Sequence, residues 1–455
     1  MSLLLNGLTG ALAAQAALGA TSQNVANAMT PGYTRQGVLL GSLQTPQGGA
    51  GVQVSALLRF SDGYKNLQLW QATSQLGQYS AGQAYLTQLE QVMSDDTSNI
   101  NQGVDQFFAA LNAVSVQPES GPLREAVITA ADALVKRFDS LQQLFANQQT
   151  AIANQREGVI GQANALTQDI ALLNKQITSG RSAGVSDAGL QDARDEKIKA
   201  LSALVGVQVV ETPDGAKSVS LRGGQPLVVG ADAATLATDG AQSLKIQFAS
   251  TSFKLSDVGL GGQLGGLADL QQQILAPIQT TVAELATGIG NAVNTQLAAG
   301  FAPPAATPGQ PLFDTTGGRL TLTNLRAADL AFSSSPTISG DSGNLTALVA
   351  LKNKPLTLTT FDTQGRVTGT ANVVMGDAFT QLVGKLGVAS SLNQASQSTA
   401  TTVRDQAEEN WKSSSGVNSD EEAISLMQYQ QMYQANMKVV AVANQLFDST
   451  LAMLG

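Results

Sequence analysis

Residues 419–453, SDEEAISLMQYQQMYQANMKVVAVANQLFDSTLAM, carry the pattern that decides the architecture. Leu426, Tyr433, Val440, Phe447 and Leu454 recur every seven residues. A seven-residue repeat keeps one stripe facing a partner as two helices supercoil left-handedly. Ser419-Asp420-Glu421-Glu422 fits a capping box at the start of that helix. The Ser419 hydroxyl can accept from the Glu422 N–H while the Glu422 carboxylate reaches back. The acidic first turn also complements the helix dipole.

The other end of the chain offers a second helix. Over residues 3–29, Leu5, Leu8 and Leu12 form one face, continued by Ala16 and Gly19 and later by Val25 and Met29. The spacing is three and four, the mark of a helix stripe. The stripe is narrow and partly built of small residues, which let two backbones approach closely. Thr30-Pro31-Gly32-Tyr33 is a strong turn signal that ends it. At a rise of about 1.5 Å per residue the helix is roughly 40 Å long. On periodicity alone, an intramolecular bundle and packing between copies explain these ends equally well. If the contact is between copies and its rotation does not close, a helical tube results.

Between the ends the pattern alternates. Val38, Leu39, Leu40 and then Val52 and Val54 look extended on either side of Gly48-Gly49-Ala50-Gly51, which predicts a β-ribbon or extended linker. Helical spacing returns over 61–115. Pro122 suits the first turn of a long helix whose stripe runs through Leu134, Phe138, Leu141 and Phe145, then Val159, Ala163, Leu166, Ile170, Leu173 and Ile177. Gln148 and Gln155 interrupt that stripe, which favours bundle helices over a free coiled coil. Residues 191–204 read as a short charged helix. Alternating valines at 205, 207 and 209, the turn Pro213-Asp214-Gly215, and Leu244, Ile246 and Phe248 read as strands. Residues 264–298 are helical, with a kink or split expected at Pro277. Strands resume at Leu320 and Leu322 and at Leu356 and Leu358. Residues 377–410 are helical, and Ser413-Ser414-Ser415-Gly416 is a hinge.

Composition narrows the function classes. The chain has 455 residues, no cysteine and no histidine, and a net charge of −9. Disulfides, thiolate metal sites, cysteine nucleophiles and histidine-based acid–base chemistry are excluded. No basic run interleaves with aromatics, so a nucleic-acid partner is not expected. An anionic membrane surface suits an acidic chain poorly. The N-terminus lacks a basic n-region, and no run of about 18 apolar residues stands out as a membrane span. No metal or cofactor is expected. The cluster Gly259, Gly261, Gly262, Gly265 and Gly266 fails the dinucleotide fingerprint because Leu264 stands in it, and reads as a flexible turn. Glu408-Glu409 and Glu421-Glu422 are better explained as solvated helix faces and a dipole-matched cap than as catalytic pairs. Asp95-Asp96 lacks the other ligands of a calcium loop. Asn344-Leu345-Thr346 is a sequon of the kind that arises by chance.

The residues at the two ends go beyond pattern. Asn24-Val25-Ala26-Asn27, Thr30-Pro31-Gly32-Tyr33 and the following Thr34-Arg35-Gln36 resemble the N-terminal signature of the flagellar axial family of rod, hook and hook-associated proteins. Ser415-Gly416-Val417-Asn418, Tyr429-Gln430-Gln431-Met432-Tyr433-Gln434-Ala435 and Leu446-Phe447-Asp448 resemble the C-terminus of its hook-associated members. Ser419 stands where that family commonly has Leu. The resemblance implies a non-enzymatic structural subunit at the hook–filament junction, outside the cell and exported by the flagellar type III route without a cleavable signal peptide. It implies self-association in a ring, with the hook protein, hook-associated protein 3 and a flagellar export chaperone as partners. Alternatives are a hook or rod subunit, or a secreted coiled-coil adhesin or effector.

The expected fold is mainly α with a β-rich insertion. Residues 1–38 and 414–455 are expected to pair as a terminal coiled coil. A helical bundle is expected from 39–204, 262–300 and 373–413, and a β-rich outer domain from 205–261 and 301–372. The expected assembly contacts are Leu5, Leu8, Leu12, Asn24, Asn27, Tyr33, Leu426, Tyr429, Tyr433, Val440 and Phe447, with Ser419 and Glu422 as the cap.

Overall fold

The computed structural model describes residues 2–45, 48–96, 98–183, 187–239, 243–257, 259–302, 307–338 and 340–454. The chain opens with helix α1 (Ser2–Ala26), strands β1 (Gln36–Thr45) and β2 (Gly48–Arg59), and helices α2 (Gly63–Ser94), α3 (Ile100–Val114), α4 (Gly121–Ser182) and α5 (Ala188–Leu204). Seven short strands follow: β3 (Val207–Glu211), β4 (Lys217–Leu221), β5 (Pro226–Val229), β6 (Asp232–Ala233), β7 (Thr235–Thr238), β8 (Leu244–Phe248) and β9 (Thr251–Lys254). Helices α6 (Gly262–Asp269) and α7 (Ala276–Ala298) precede the hairpin pairs β10 (Phe301–Ala302) with β11 (Thr307–Pro308) and β12 (Phe313–Asp314) with β13 (Thr321–Leu322). Then come α8 (Gly343–Ala350), the hairpin β14 (Pro355–Phe361) with β15 (Val367–Val374), and helices α9 (Met375–Ser415) and α10 (Ser419–Leu454).

The chain divides into two compact units: Met1–Gly77, Ile160–Gly262 and Thr399–Gly455 form one, and Gln78–Val159 and Gln263–Ser398 the other. The two stretches expected to make one β-rich outer domain therefore fall in different units. Residues 205–261 belong to the first and 301–372 to the second. The reason is visible in what each stretch buries. In the first unit β3 to β6 form an antiparallel four-stranded sheet and β7 to β9 a three-stranded one. Their inward residues Val219, Leu221, Val228, Leu236, Leu244 and Ile246 are buried, as alternation along half-covered strands requires. Two asparagines of α4 tie these sheets down. Asn174 Nδ2 donates to the Lys217 and Gly230 carbonyls, each at 2.8 Å, and its Oδ1 accepts from Lys217 N at 3.0 Å. Asn164 exchanges a pair of bonds with Leu236 at 2.8 and 2.9 Å. Each side-chain amide stands in for a missing strand neighbour.

In the second unit Phe313 and Phe332, from the loop-rich stretch after α7, join one apolar core with Phe107, Phe138 and Phe379. Phe107 and Phe313 meet edge to face with centroids 5.7 Å apart. Burial of these rings holds the short hairpins to α3 and α4, independently of the β3–β9 sheets. Buried Arg124 sets the loop by donating to the carbonyls of Ala327, Ala328 and Leu330 at 3.1, 3.2 and 2.9 Å. The disturbance expected at Pro277 is a π-helical segment over Leu270–Leu275 between α6 and α7. Proline has no N–H and its ring crowds the preceding turn, so the ladder shifts: Ala276 N donates to the Gln271 carbonyl, five residues back.

By length and composition Leu3–Ala26 is apolar enough to cross a membrane. Alanine, glycine and leucine lift its average although polar residues interrupt every run.

Candidate assembly site

Helices α1 and α10 pack against each other within the first unit. They run antiparallel: Gly7 lies against Val440 and Asn436, Gly10 against Asn436, and Asn24 against Glu422. The seam on α1 is Gly7, Gly10, Ala14, Ala17, Thr21 and Asn24, all buried. Their spacing alternates three and four, which is a heptad seam. It is made of small residues because the backbones come too close for larger ones. A Cβ on Gly7 would lie 2.9 Å from Val440 Cγ2, and one on Gly10 would lie 2.6 Å from Asn436 Cγ. Across the seam stand Glu422 and Ala443, buried, and Tyr429, Met432, Asn436 and Val439, half-buried.

The leucine stripe points the other way. Leu5, Leu8 and Leu12 are 47%, 45% and 55% exposed. On α10, Leu426 and Val440 are half-buried at the edge of the seam, while Tyr433 and Phe447 are exposed. As packing residues within the chain, Leu5, Leu8, Leu12, Tyr433 and Phe447 are therefore corrected. The seam runs through neighbouring positions of the same heptads, because glycine and alanine allow a closer approach than leucine does.

A polar clasp closes the pair where α1 ends and α10 begins. Asn24 uses its whole side-chain amide there. Nδ2 donates to the Gln36 carbonyl at 2.8 Å and to Glu422 Oε2 at 3.0 Å. Oδ1 accepts from the Tyr33 hydroxyl and from Gln36 N, each at 2.9 Å. Arg35 adds an ion pair to Glu421 at 2.7 Å, approaches Glu422 at 3.7 Å, and lies over the Phe60 ring at 4.7 Å from its centroid. Its N–H donates to the Ser415 carbonyl at 2.8 Å. Gly32 makes the turn that brings Tyr33 back, with φ of 75°. The Tyr33 phenol is pushed up to about 12 by burial, then by the charges of Asp192 and Glu422. Asn27 serves the end of α1 instead of α10: its Nδ2 donates to the Gln23 carbonyl at 3.0 Å, and its Oδ1 accepts from the Thr30 hydroxyl at 3.2 Å.

The capping box is corrected by one residue. Asn418 Oδ1 accepts from Asp420 N at 3.0 Å, and Glu422 N donates to the Asn418 carbonyl at 3.0 Å. Glu422 turns inward to Asn24 because a buried carboxylate needs a donor more than the exposed cap needs a second acceptor.

A second ionic cluster anchors the ribbon end that follows the clasp. Arg59 pairs with Asp192 at 2.7 Å and Asp195 at 2.9 Å, and Thr34 N donates to Asp192 Oδ2 at 3.1 Å. Lys217 Nζ reaches Asp195 Oδ1 at 2.6 Å and sits 5.4 Å from the centroid of Trp70. Burial alone would raise the Asp195 carboxyl, but Lys217, Arg59 and Arg194 outweigh it and hold it below the usual aspartate range. Sequence reading treated Asp192, Arg194 and Asp195 as the face of a short charged helix and missed this role. The signal available was an Asp-x-Arg-Asp run on a helix followed by strands with few other charges.

Among the described residues, no group of three His, Cys, Asp or Glu side chains is placed to hold a metal ion.

Residues 86–313 match the family described as flagellar hook-associated protein FlgK helical domain, and 413–453 match the flagellar basal body rod FlgEFG protein C-terminal family. The chain is 26% identical over 551 aligned residues to flagellar hook-associated protein 1 of Salmonella typhimurium, covering 99% of each chain. It is 25% identical over 500 residues to the protein of that name from Bacillus subtilis, covering 97% of this chain and 96% of that one. Among solved structures it is similar to the flagellar hook junction protein FlgK from Burkholderia pseudomallei, at 27% identity and a TM-score of 0.52, over 67% of this chain and 57% of that one. With half of its length matched by the helical-domain family, the chain belongs to the flagellar hook-associated protein FlgK family, structural components of the bacterial flagellum.

Proposed function

We propose that this chain is the axial subunit that joins the flagellar hook to the filament, and that copies of it meet in a ring through α1 and α10. One observation carries the reading: the terminal pair spends its small residues on itself and leaves its large ones outside. Ala14 and Ala17 are buried in the seam, whereas Leu5, Leu8, Leu12, Leu446 and Phe447 are about half exposed or more. Covering one half-exposed leucine with a neighbour is worth about 1 kcal/mol. A row of them therefore binds a neighbour without unfolding the pair. Asn24, Asn27 and Tyr33 then hold the shape of each subunit, while Leu5, Leu8, Leu12, Leu426, Tyr429, Tyr433, Val440 and Phe447 line or border the surface between subunits. The subunit does no chemistry. The hook protein lies on one side, hook-associated protein 3 on the other, and an export chaperone holds the chain before it leaves the cell by the type III route.

The match of 413–453 to the rod-protein C-terminal family favours a second reading, a hook or rod subunit. Deleting the gene separates the two under the electron microscope. Hooks without filaments are expected, and loss of hooks would move the assignment to the hook or rod.

A further inference from the structure

Helices α2 and α6 touch so closely at Gly266 that no side chain fits: a Cβ there would overlap the Gln78 carbonyl. One turn along α2, at Gly82, a Cβ would meet only ordinary contacts, the nearest being Leu270 Cβ at 3.7 Å. The two elements have parted there, and the π-helical segment Leu270–Leu275 begins. The cleft between them is a cavity of about 840 Å³ within the second unit, lined by α2, α7, α9, the π segment and the β14/β15 hairpin. Leu270, Ile274, Leu358, Val373, Leu382 and Leu392 make it largely apolar. Its frame is held by the chain itself. The hairpin tip turns at Gly365 with φ of 73°, where a Cβ would overlap the Gln272 carbonyl of the π segment. Thr359 N donates to Glu284 Oε2 of α7 at 2.7 Å. Asn393 Nδ2 of α9 donates to the Tyr79 carbonyl at 2.9 Å and to Gln83 Oε1 at 2.7 Å, both on α2. Preformed apolar cavities of about 300–1,000 Å³ are the usual size for a small organic ligand. Short π-helical segments often mark such sites.

The charges on the lining point to the ligand. Asp269 is half-buried there. Its Oδ2 accepts from Gln78 Nε2 at 2.6 Å and its Oδ1 from Gln273 Nε2 at 2.8 Å. Burial raises its carboxyl above the ordinary aspartate value, opposed by the Gln78 hydrogen bond and by no neighbouring cation. The other charged residues of the lining are Asp362, already paired with Arg366 at 2.9 Å, and Lys385, exposed on α9. Charges taken out of water are ordinarily paired, and Asp269 has two amide donors but no counter-charge among the described residues. A metal ion does not fit, because no group of three acidic side chains is placed to hold one among those residues. A partner's helix, about 10 Å across, needs a trough open along its length, and the hairpin tip pinned on Gln272 bounds the cavity on that side. An ammonium group carrying an apolar body satisfies both the carboxylate and the walls.

We propose that this cavity binds a small organic amine, with its ammonium on Asp269 and its apolar body among Leu270, Ile274, Leu358 and Leu392. The test titrates n-octylamine, 1-octanol and octanoate into the full chain at pH 7 by calorimetry; the three share a chain length and differ in charge. One octylamine is expected per chain, bound at least about tenfold more tightly than octanol because its hydrogen bond is to a charged acceptor. Octanoate is expected to bind most weakly. Asp269→Asn should remove the advantage of the amine and leave octanol binding unchanged. Gln78 or Gln273 can turn its amide to accept from the new Nδ2, so that variant keeps its fold, which circular dichroism checks. Ala389→Trp places a ring in the cavity and should weaken octylamine and octanol alike. On the unsubstituted chain, octylamine should slow hydrogen exchange over 266–275 and 358–363. Octylamine bound no more tightly than octanol, or an advantage that survives Asp269→Asn, overturns the amine assignment. Octanoate bound most tightly overturns it in favour of Lys385. No binding of octylamine, binding that Ala389→Trp leaves unchanged, or slowed exchange only at other residues overturns the site itself.

Discussion

Replacing Asn24 by aspartate tests the clasp with almost no change in shape. Asn24 is 1% exposed, and its Nδ2 donates to both the Gln36 carbonyl and Glu422 Oε2, the latter at 3.0 Å. Asn24→Asp turns that donor into an oxygen. Two donated bonds are lost, one of them to a charged acceptor, which costs about 2–4 kcal/mol. The new carboxylate also faces the Glu422 carboxylate near 3 Å, where two like charges repel by about 5 kcal/mol at an effective dielectric of 20. The pair escapes part of this by binding a proton, so its folded-state affinity for that proton rises above that of unfolded carboxylates. A raised acid costs stability above the folded value and nothing below the unfolded one. The penalty of Asn24→Asp is therefore greatest at neutral pH and shrinks as pH falls toward about 4. Asn24→Ala loses the same bonds without the added charge, so its penalty shrinks less on acidification than that of Asn24→Asp. Hydrogen exchange at residues 20–26 and 420–430 reads both locally, which matters because a chain of two units need not unfold in one step. We expect protection at pH 7 to fall by about 10²–10³-fold for Asn24→Ala and by roughly tenfold more for Asn24→Asp, the extra loss disappearing near pH 4. Equal losses with the same pH dependence for the two variants would refute the charge argument, and a loss under threefold for Asn24→Ala would refute the clasp itself.

Three further outcomes follow from other parts of the molecule. Gly266 crosses α2 so closely that a Cβ would overlap the Gln78 carbonyl, whereas Gly158 on α4 has nothing within 4 Å, so Gly266→Ala should lower the urea midpoint by an amount equivalent to more than 2 kcal/mol and Gly158→Ala should raise it slightly, by about 0.5–1 kcal/mol. Because the Asp195 carboxyl is held low, its contribution is complete above the ordinary aspartate value near 4 and drains away as pH falls through its lower folded value. Trp70 fluorescence should report that acid transition, and Asp195→Asn should destabilise the neutral protein by about 3–5 kcal/mol by leaving buried Lys217 without its carboxylate and Arg59 with Asp192 alone. In an ultraviolet titration one tyrosine should ionise at about 12, and Tyr33→Phe should remove that step at a cost of about 1 kcal/mol.

Much of the chain was legible without a structure. The helical stripes of α4 and α7, the alternation of β8 and the break at Pro277 all correspond to observed elements, because periodicity records which face of an element is buried, whereas the helical stretch read over 61–115 is two helices, α2 and α3. Family membership was legible too, since Asn24, Tyr33 and Arg35 stand in a signature whose parts now have physical tasks. Those tasks were not legible. Asn24 and Glu422 are 398 residues apart, and no local rule says that an amide at the end of one helix will face a carboxylate at the start of another. The division of the β-rich stretches between two units was hidden for a similar reason: Phe313 and Phe332 are strand or loop residues in sequence, and only the core they enter assigns them.

For the terminal helices the line between the two kinds of information is sharp. Sequence alone read residues 3–29 and 419–453 as helices with apolar stripes at helical spacing, close to the observed Ser2–Ala26 and Ser419–Leu454. It could not say which of two overlapping stripes faces inward, because periodicity counts apolar positions without knowing how near the partner lies. Tertiary structure decided that. The helices approach until only Gly7, Gly10, Ala14 and Ala17 fit between them, and that short distance leaves the leucines facing out.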